Sequence, residues 1–170
     1  LYIVVVLLIA SLALTAASLA QWIPAWKKDL PRIMALANLN PGEIFYDSKV
    51  PIATEIDALS VRLPDVPKLV RILHQNGMYA VARQTVFSDA YLAQRKPEYA
   101  VKSRSTGGSW HGKEGISWVD PSNPGVQAYN IDIEKEVASF GVYEIQFDYI
   151  RFPTDGNISD AAYFFEKEHP

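Results

Sequence analysis

The stretch YEIQFDYIRFPTDG, residues 143–156, constrains the fold more than any other part of the chain. Over residues 143–149, alternation puts Ile145, Phe147 and Tyr149 on one face and Glu144, Gln146 and Asp148 on the other, which predicts a β-strand. A parallel strand inside an ordinary core is apolar on both faces. This one instead ends on a carboxylate, Asp148, followed by Arg151 and by Phe152-Pro153. Ligand-handling groups of α/β proteins sit at that end of the strand, because the loops that meet the ligand begin there. The stretch therefore predicts both a fold class and a site.

The rest of the chain supplies helices before such strands. Residues 66–76 have Asp65 as a cap, a stripe of Val66, Leu69, Val70 and Leu73, and Gly77 as a stop. The run MYAVARQTV, residues 78–86, reads as the next strand, with Arg83 and Gln84 in its second half. A short helix over residues 89–96 stops at Pro97. Asn123 and Pro124 open a helix whose stripe is Val126, Tyr129, Ile133, Val137 and Phe140, and Gly141 closes it. Residues 42–50 read as an extended piece, and a last helix is expected from a cap at Ser159. A helix preceding each strand means parallel βαβ architecture, hence an α/β fold. No repeat of solenoid period is present.

Residues 1–26 contain no charged side chain, and residues 2–20 are almost wholly apolar. About 20 such residues span a bilayer as a helix. Trp22 and Trp26 would lie at the interface, with Lys27 and Lys28 outside it. The competing readings are a cleaved secretory signal, since Ser18-Leu19-Ala20 has the small-x-small form, and a buried core helix. The expected organisation is thus an anchor or signal segment over 1–26, a proline-punctuated junction over 27–41 with a short helix at 32–39, and a barrel-like domain over 42–170. It implies a membrane-anchored or secreted, extracytoplasmic protein. The net charge of −3 gives no argument for a nucleic-acid partner. The absence of cysteine removes disulfides, thiol nucleophiles and thiolate metal sites. His74, His111 and His169 are too dispersed to suggest a metal cluster, and no phosphate loop, dinucleotide fingerprint or Ser-His-Asp order appears.

Three blocks carry a resemblance. YDSKVPIATEI, GMYAVARQTVFSD and GISWVDPSNPGVQAYNIDIEKEVASFGVYEIQFDYIRFPTDG, in that order, resemble the bacterial Putative glycosyl hydrolase domain family. The family is similar to (β/α)₈ barrels distantly related to the α-amylase and α-galactosidase superfamilies, and to barrel hydrolases of peptidoglycan glycan strands. The resemblance covers residues 42–156 and implies a glycoside hydrolase of polysaccharide or cell-wall glycan that needs no cofactor. In this alignment the strands before YDSKVP have no counterpart and the chain stops just after the fourth strand. The expectation is a partial (β/α)₈ barrel holding strands three and four, a fragment of a longer gene or a decayed copy. A chain of 170 residues is short for a full barrel, which takes about 250.

Glycoside hydrolysis needs two carboxyl groups flanking the scissile bond. The resemblance implies Asp148 as nucleophile or transition-state stabiliser, because related barrels place the nucleophile at the end of the fourth strand. Arg151 either holds Asp148 in position or binds a sugar hydroxyl, the plainer alternative being a structural Asp–Arg pair. Arg83 matches the family's Ala-Arg pattern and belongs to the site wall or to a salt bridge. Asp120, in WVDP, is an in-chain candidate for the second carboxyl or else the first residue of an Asx-Pro turn. Trp110 and Trp118, in the Gly-rich loop over 98–120, either stack on sugar rings or anchor that loop. Asp47 and Asp89 are weaker candidates, each suited to a turn or cap, and His111 reads as solvated. The rival to an enzyme is a non-catalytic carbohydrate-binding or envelope scaffold protein on the same barrel.

Overall fold

The computed structural model describes residues 32–37 and 42–167. The apolar segment over 1–26 and most of the junction lie outside the described residues. Among those described, no helix is long and apolar enough to cross a membrane.

Three parallel strands form the main sheet: β1 (Arg32–Ala37), β2 (Met78–Thr85) and β4 (Glu144–Asp148), side by side in the order β1-β2-β4. Between β1 and β2 run α1 (Pro51–Glu55) and α2 (Val66–Gln75); between β2 and β4 run α3 (Ala90–Arg95) and α4 (Pro124–Ser139). Each crossover therefore adds the next parallel strand on the same side, with no reversal of strand order of the kind that marks a doubly wound sheet. A second sheet pairs the short β3 (Lys102–Ser103) antiparallel with β5 (Ala161–Ala162), tying the long loop to the segment after β4.

The helix starts follow their local chemistry. Asp65 accepts from the Lys68 N–H at 2.8 Å, Asp89 from Leu92 at 2.8 Å and Asn123 from Gly125 at 2.8 Å, each satisfying an orphan donor of a first turn. Gly77 and Gly141 close α2 and α4 with φ of 66° and 87°, a conformation that costs glycine nothing. The stripe of α2 buries Val66, Val70 and Leu73 against Ala80 of β2. That of α4 buries Val126, Tyr129 and Ile133 beside Leu92, Ala93 and Val119.

Two expectations are corrected. Residues 32–37 are a strand, not a helix, and they pair with β2 from Arg32↔Met78 to Ala37↔Arg83, so a strand does precede YDSKVP. RIMALA consists largely of good helix formers, but intrinsic propensity is a weak preference, and a free edge of β2 offers a full ladder of backbone bonds instead. At the C-terminus, the helix expected from Ser159 is replaced by single 3₁₀ turns at Ile158–Asp160 and Phe164–Lys167 on either side of β5. There the Ser159 hydroxyl bonds Asn157 Oδ1 at 2.7 Å instead of capping a backbone N–H.

Candidate functional site

Alternation decides which side chains of the sheet meet the helices. Ala80 packs into the α2 cluster, and Gln84 Nε2 donates to Asn130 Oδ1 on α4 at 2.9 Å. The alternate residues of β2, Val81, Arg83 and Thr85, therefore point to the opposite face, together with Glu144, Gln146 and Asp148 of β4. The register sets Arg83 against Gln146 and Thr85 against Asp148. Arg83 and Asp148 are thus diagonal neighbours at the C-terminal strand ends, within the reach of an arginine. The Arg83 guanidinium forms an ion pair with Asp148 Oδ2, and the side chains are 42% and 32% exposed. Asp148 Oδ1 accepts from the Tyr149 N–H at 2.9 Å, so both carboxylate oxygens are oriented.

The chain turns sharply just past Asp148. Tyr149 has φ of 54°, a left-handed conformation uncommon for a bulky side chain. Its ring meets Trp118 edge-on at 5.7 Å between centroids. Beyond this turn Arg151 is carried away from Asp148: its guanidinium carbon lies 5.3 Å from the Trp118 ring centre and 5.8 Å from that of Tyr149. Arg151 Nη1 donates to Thr154 Oγ1 at 2.7 Å and to the Phe152 carbonyl at 3.2 Å. The arginine that holds Asp148 is Arg83, and the Asp148–Arg151 pairing expected from sequence proximity does not form.

Trp110 and Trp118 are 2% and 3% exposed and pack with Val101 and Ala161. Trp110 Nε1 donates to the Asn157 carbonyl at 2.9 Å, which joins the long loop to the segment after β4. The two backbones nearly touch at Gly112 and Gly156: a Cβ on Gly156 would lie 3.0 Å from Gly112 Cα, and Gly156 itself has φ of 81°. Rings this deeply buried have the surroundings of loop anchors.

Asp120 is also buried. Its Oδ1 accepts from the Ser122 N–H at 2.8 Å and the Ser122 hydroxyl at 2.6 Å, while Oδ2 accepts from the Phe164 N–H. That is the geometry of an Asx turn with a second loop docked on it. Asp47 is paired with Lys49 at the surface, and His111 Nδ1 lies 3.2 Å from Ser117 Oγ. Among the described residues no group of acids and histidines could hold a metal ion.

Glu136, on α4, is an organising residue that sequence reasoning missed. Its carboxylate accepts from the Tyr46 hydroxyl at 2.9 Å, the Ser48 hydroxyl at 2.5 Å and the Lys49 N–H at 2.6 Å, locking the YDSK stretch. Burial and this neighbouring carboxylate push the Tyr46 phenol well above its usual range. No local signal marks Glu136, because its partners lie about 90 residues away. A cavity of about 90 Å³ lies between the sheet and α4, lined by Ile44, Tyr46, Ala82, Ile133, Phe140 and Ile145 among others. It opens on the helix side of the sheet and does not include Asp148.

Asp89, the cap of α3, is enclosed, and burial pushes its carboxyl up to about 6 against the opposing effect of backbone N–H donors. A carboxyl whose pKa is higher folded than unfolded favours the native state below the unfolded value, about 4, and loses that contribution as pH rises through about 6. Asn caps as well as Asp and carries no charge to desolvate. Asp89→Asn is therefore expected to raise stability by up to about 3 kcal/mol at pH 7 to 8 and by little at pH 4, from two pKa units at about 1.4 kcal/mol each. Denaturant melts of both proteins across this pH range measure it.

A family model described as Putative glycosyl hydrolase domain matches residues 38–169. Among solved structures, a hypothetical protein from Ruminiclostridium thermocellum ATCC 27405 is 34% identical with a TM-score of 0.69, over 79% of this chain and 67% of that one. A GH31 dextranase of Flavobacterium johnsoniae complexed with glucose is 17% identical with a TM-score of 0.52, over 88% of this chain and 19% of that one. A GH31 α-xylosidase from a soil metagenome complexed with xylose is 13% identical with a TM-score of 0.51, over 86% and 21%. The last two show a shared fold alone, that of barrel-like glycosidases. This chain spans about two thirds of the first structure and about a fifth of the other two. Among curated proteins none matches significantly.

Proposed function

The chain belongs to the Putative glycosyl hydrolase domain family, and from that premise we propose that it contributes the nucleophile side of a glycoside hydrolase site acting on a polysaccharide or cell-wall glycan. The observation that carries the reading is Asp148: a half-exposed carboxylate at the C-terminal end of a parallel strand, oriented through both oxygens by Arg83 and the Tyr149 N–H. In this reading β1, β2 and β4 are successive staves of a (β/α)₈ barrel, whose active-site end is the one where Asp148 sits. Asp148 attacks the anomeric carbon, or stabilises positive charge there, as the bond to the leaving oxygen breaks. An acid on the opposite side of the sugar gives that oxygen its proton. The fold and the family support this. The tether is part of the same proposal: residues 1–26 hold the domain at a membrane or direct its export, which fractionation of expressing cells tests.

One observation favours the non-catalytic alternative. Of the acids singled out beside Asp148, Asp120 and Asp89 are enclosed by their own turn and cap, and Asp47 is paired with Lys49. A carbohydrate-binding protein needs no second carboxyl. The deciding experiment measures new reducing ends released from a panel of soluble polysaccharides and peptidoglycan glycan strands. Release above background from at least one glycan is expected. Binding without release from any of them would make the protein a binder.

A further inference from the structure

We propose that Arg151 is the receptor for an anionic group on the glycan, so that the substrate is an acidic saccharide bearing a carboxylate or sulfate next to the sugar held by Asp148. This rests on the reading of the strand end as a carbohydrate site and narrows the substrate class. Three observations lead to it. Arg151 is exposed, and among the described residues no carboxylate pairs with it. It is nevertheless held in place: its guanidinium lies against the Trp118 and Tyr149 rings, and both hydrogens of Nη1 have acceptors in Thr154 Oγ1 and the Phe152 carbonyl. Trp118 beneath it is a buried anchor, so the platform itself is fixed.

A guanidinium has five N–H donors in a planar fork. With Nη1 committed, the edge formed by Nε and Nη2 remains, which is the edge that a carboxylate or sulfate takes with two parallel hydrogen bonds. Electrostatics point the same way. Asp148 is paired with Arg83, whereas Arg151, three residues on and past the turn at Tyr149, has no carboxylate within ion-pair distance among the described residues. An ordered guanidinium bonds an anionic group more strongly than a neutral hydroxyl. Phe152, 49% exposed beside Arg151, adds apolar surface for the C–H face of a ring.

The test is an NMR titration of the full chain labelled with ¹⁵N-arginine, with the Arg151 Nε–H resonance assigned by its loss in Arg151→Lys. Oligogalacturonate and oligoglucuronate supply carboxylates, a sulfated galactose oligomer supplies sulfate, and neutral galactose and glucose oligomers are the matched controls. At least one acidic oligomer is expected to shift the Arg151 resonance and to bind about 10- to 100-fold more tightly than its neutral counterpart, the range for charge-assisted hydrogen bonds. Arg151→Gln is expected to erase that preference, and Arg151→Lys to keep part of it. If the sulfated oligomer alone responds, the anion is a sulfate; if the uronates alone respond, it is a carboxylate. Acid and neutral oligomers binding equally, no acidic oligomer reaching Arg151, or a preference unchanged in Arg151→Gln would each overturn the proposal. Hydrolysis of glycans without acid preference leaves the hydrolase reading standing and this one fallen. Acid-selective binding without hydrolysis does the reverse.

Discussion

Asp148→Asn is expected to lower glycan hydrolysis by at least about 10³-fold, in the range seen when a nucleophile is removed from an enzyme. The amide has nearly the shape of the carboxylate, and its single acceptor oxygen keeps one of the two contacts, that with Arg83 or that with the Tyr149 N–H, while its NH2 faces the other donor. It carries no negative charge to attack or stabilise an anomeric centre. Stability is expected to change by less than about 1 kcal/mol, because an ion pair this exposed contributes little to folding. The contrast between the two measurements separates a catalytic group from a structural Asp–Arg brace. A brace would show itself in the melt and leave turnover per folded molecule intact. Steady-state hydrolysis and a urea melt on the same preparation decide between them.

Trp118→Ala is expected to cost about 3 to 5 kcal/mol, the usual penalty for emptying a buried aromatic site. The ring is 3% exposed and touches three parts of the loop structure: the Tyr149 ring, the Arg151 guanidinium and the space beside Gly112. Total stabilities of single domains run from about 5 to 15 kcal/mol, so one substitution would remove a large share. The denaturation midpoint reads this directly. A tryptophan serving as a sugar platform would behave differently, with weaker glycan binding at unchanged stability. The burial of both Trp118 and Trp110 predicts the first pattern.

What the sequence makes legible here is what is decided locally. Asp65, Asp89 and Asn123 cap helices with their own side chains, and Gly77 and Gly141 close them, so helix positions could be read within a few residues. The alternation of residues 143–149 placed Asp148 on the correct face, because that period depends on nothing outside the strand. Apart from Ser159, whose hydroxyl bonds Asn157 two residues back instead of capping a helix, the failures are non-local. RIMALA becomes a strand only because β2, over 40 residues later, offers it an edge. Arg83 meets Asp148 only through the register of β2 on β4, and 65 residues separate the pair. Arg151, three residues from Asp148, looked like its partner until the left-handed turn at Tyr149 carried it to Trp118. Glu136 was invisible for the same reason, its three donors lying in a distant segment. Asp120 shows a third case: its motif supported both a turn and a carboxyl role, and the donors from Ser122 and Phe164 put it in a turn.

The most direct test of the account is a crystal structure of Asp148→Asn soaked with the oligosaccharide that the wild-type protein cleaves or binds best. The account predicts a sugar ring at the C-terminal ends of β2 and β4, its anomeric carbon about 3 to 3.5 Å from the side chain at position 148, a near-attack distance. A sugar bound elsewhere, for example over the exposed Tyr143 at the opposite end of β4, would contradict it.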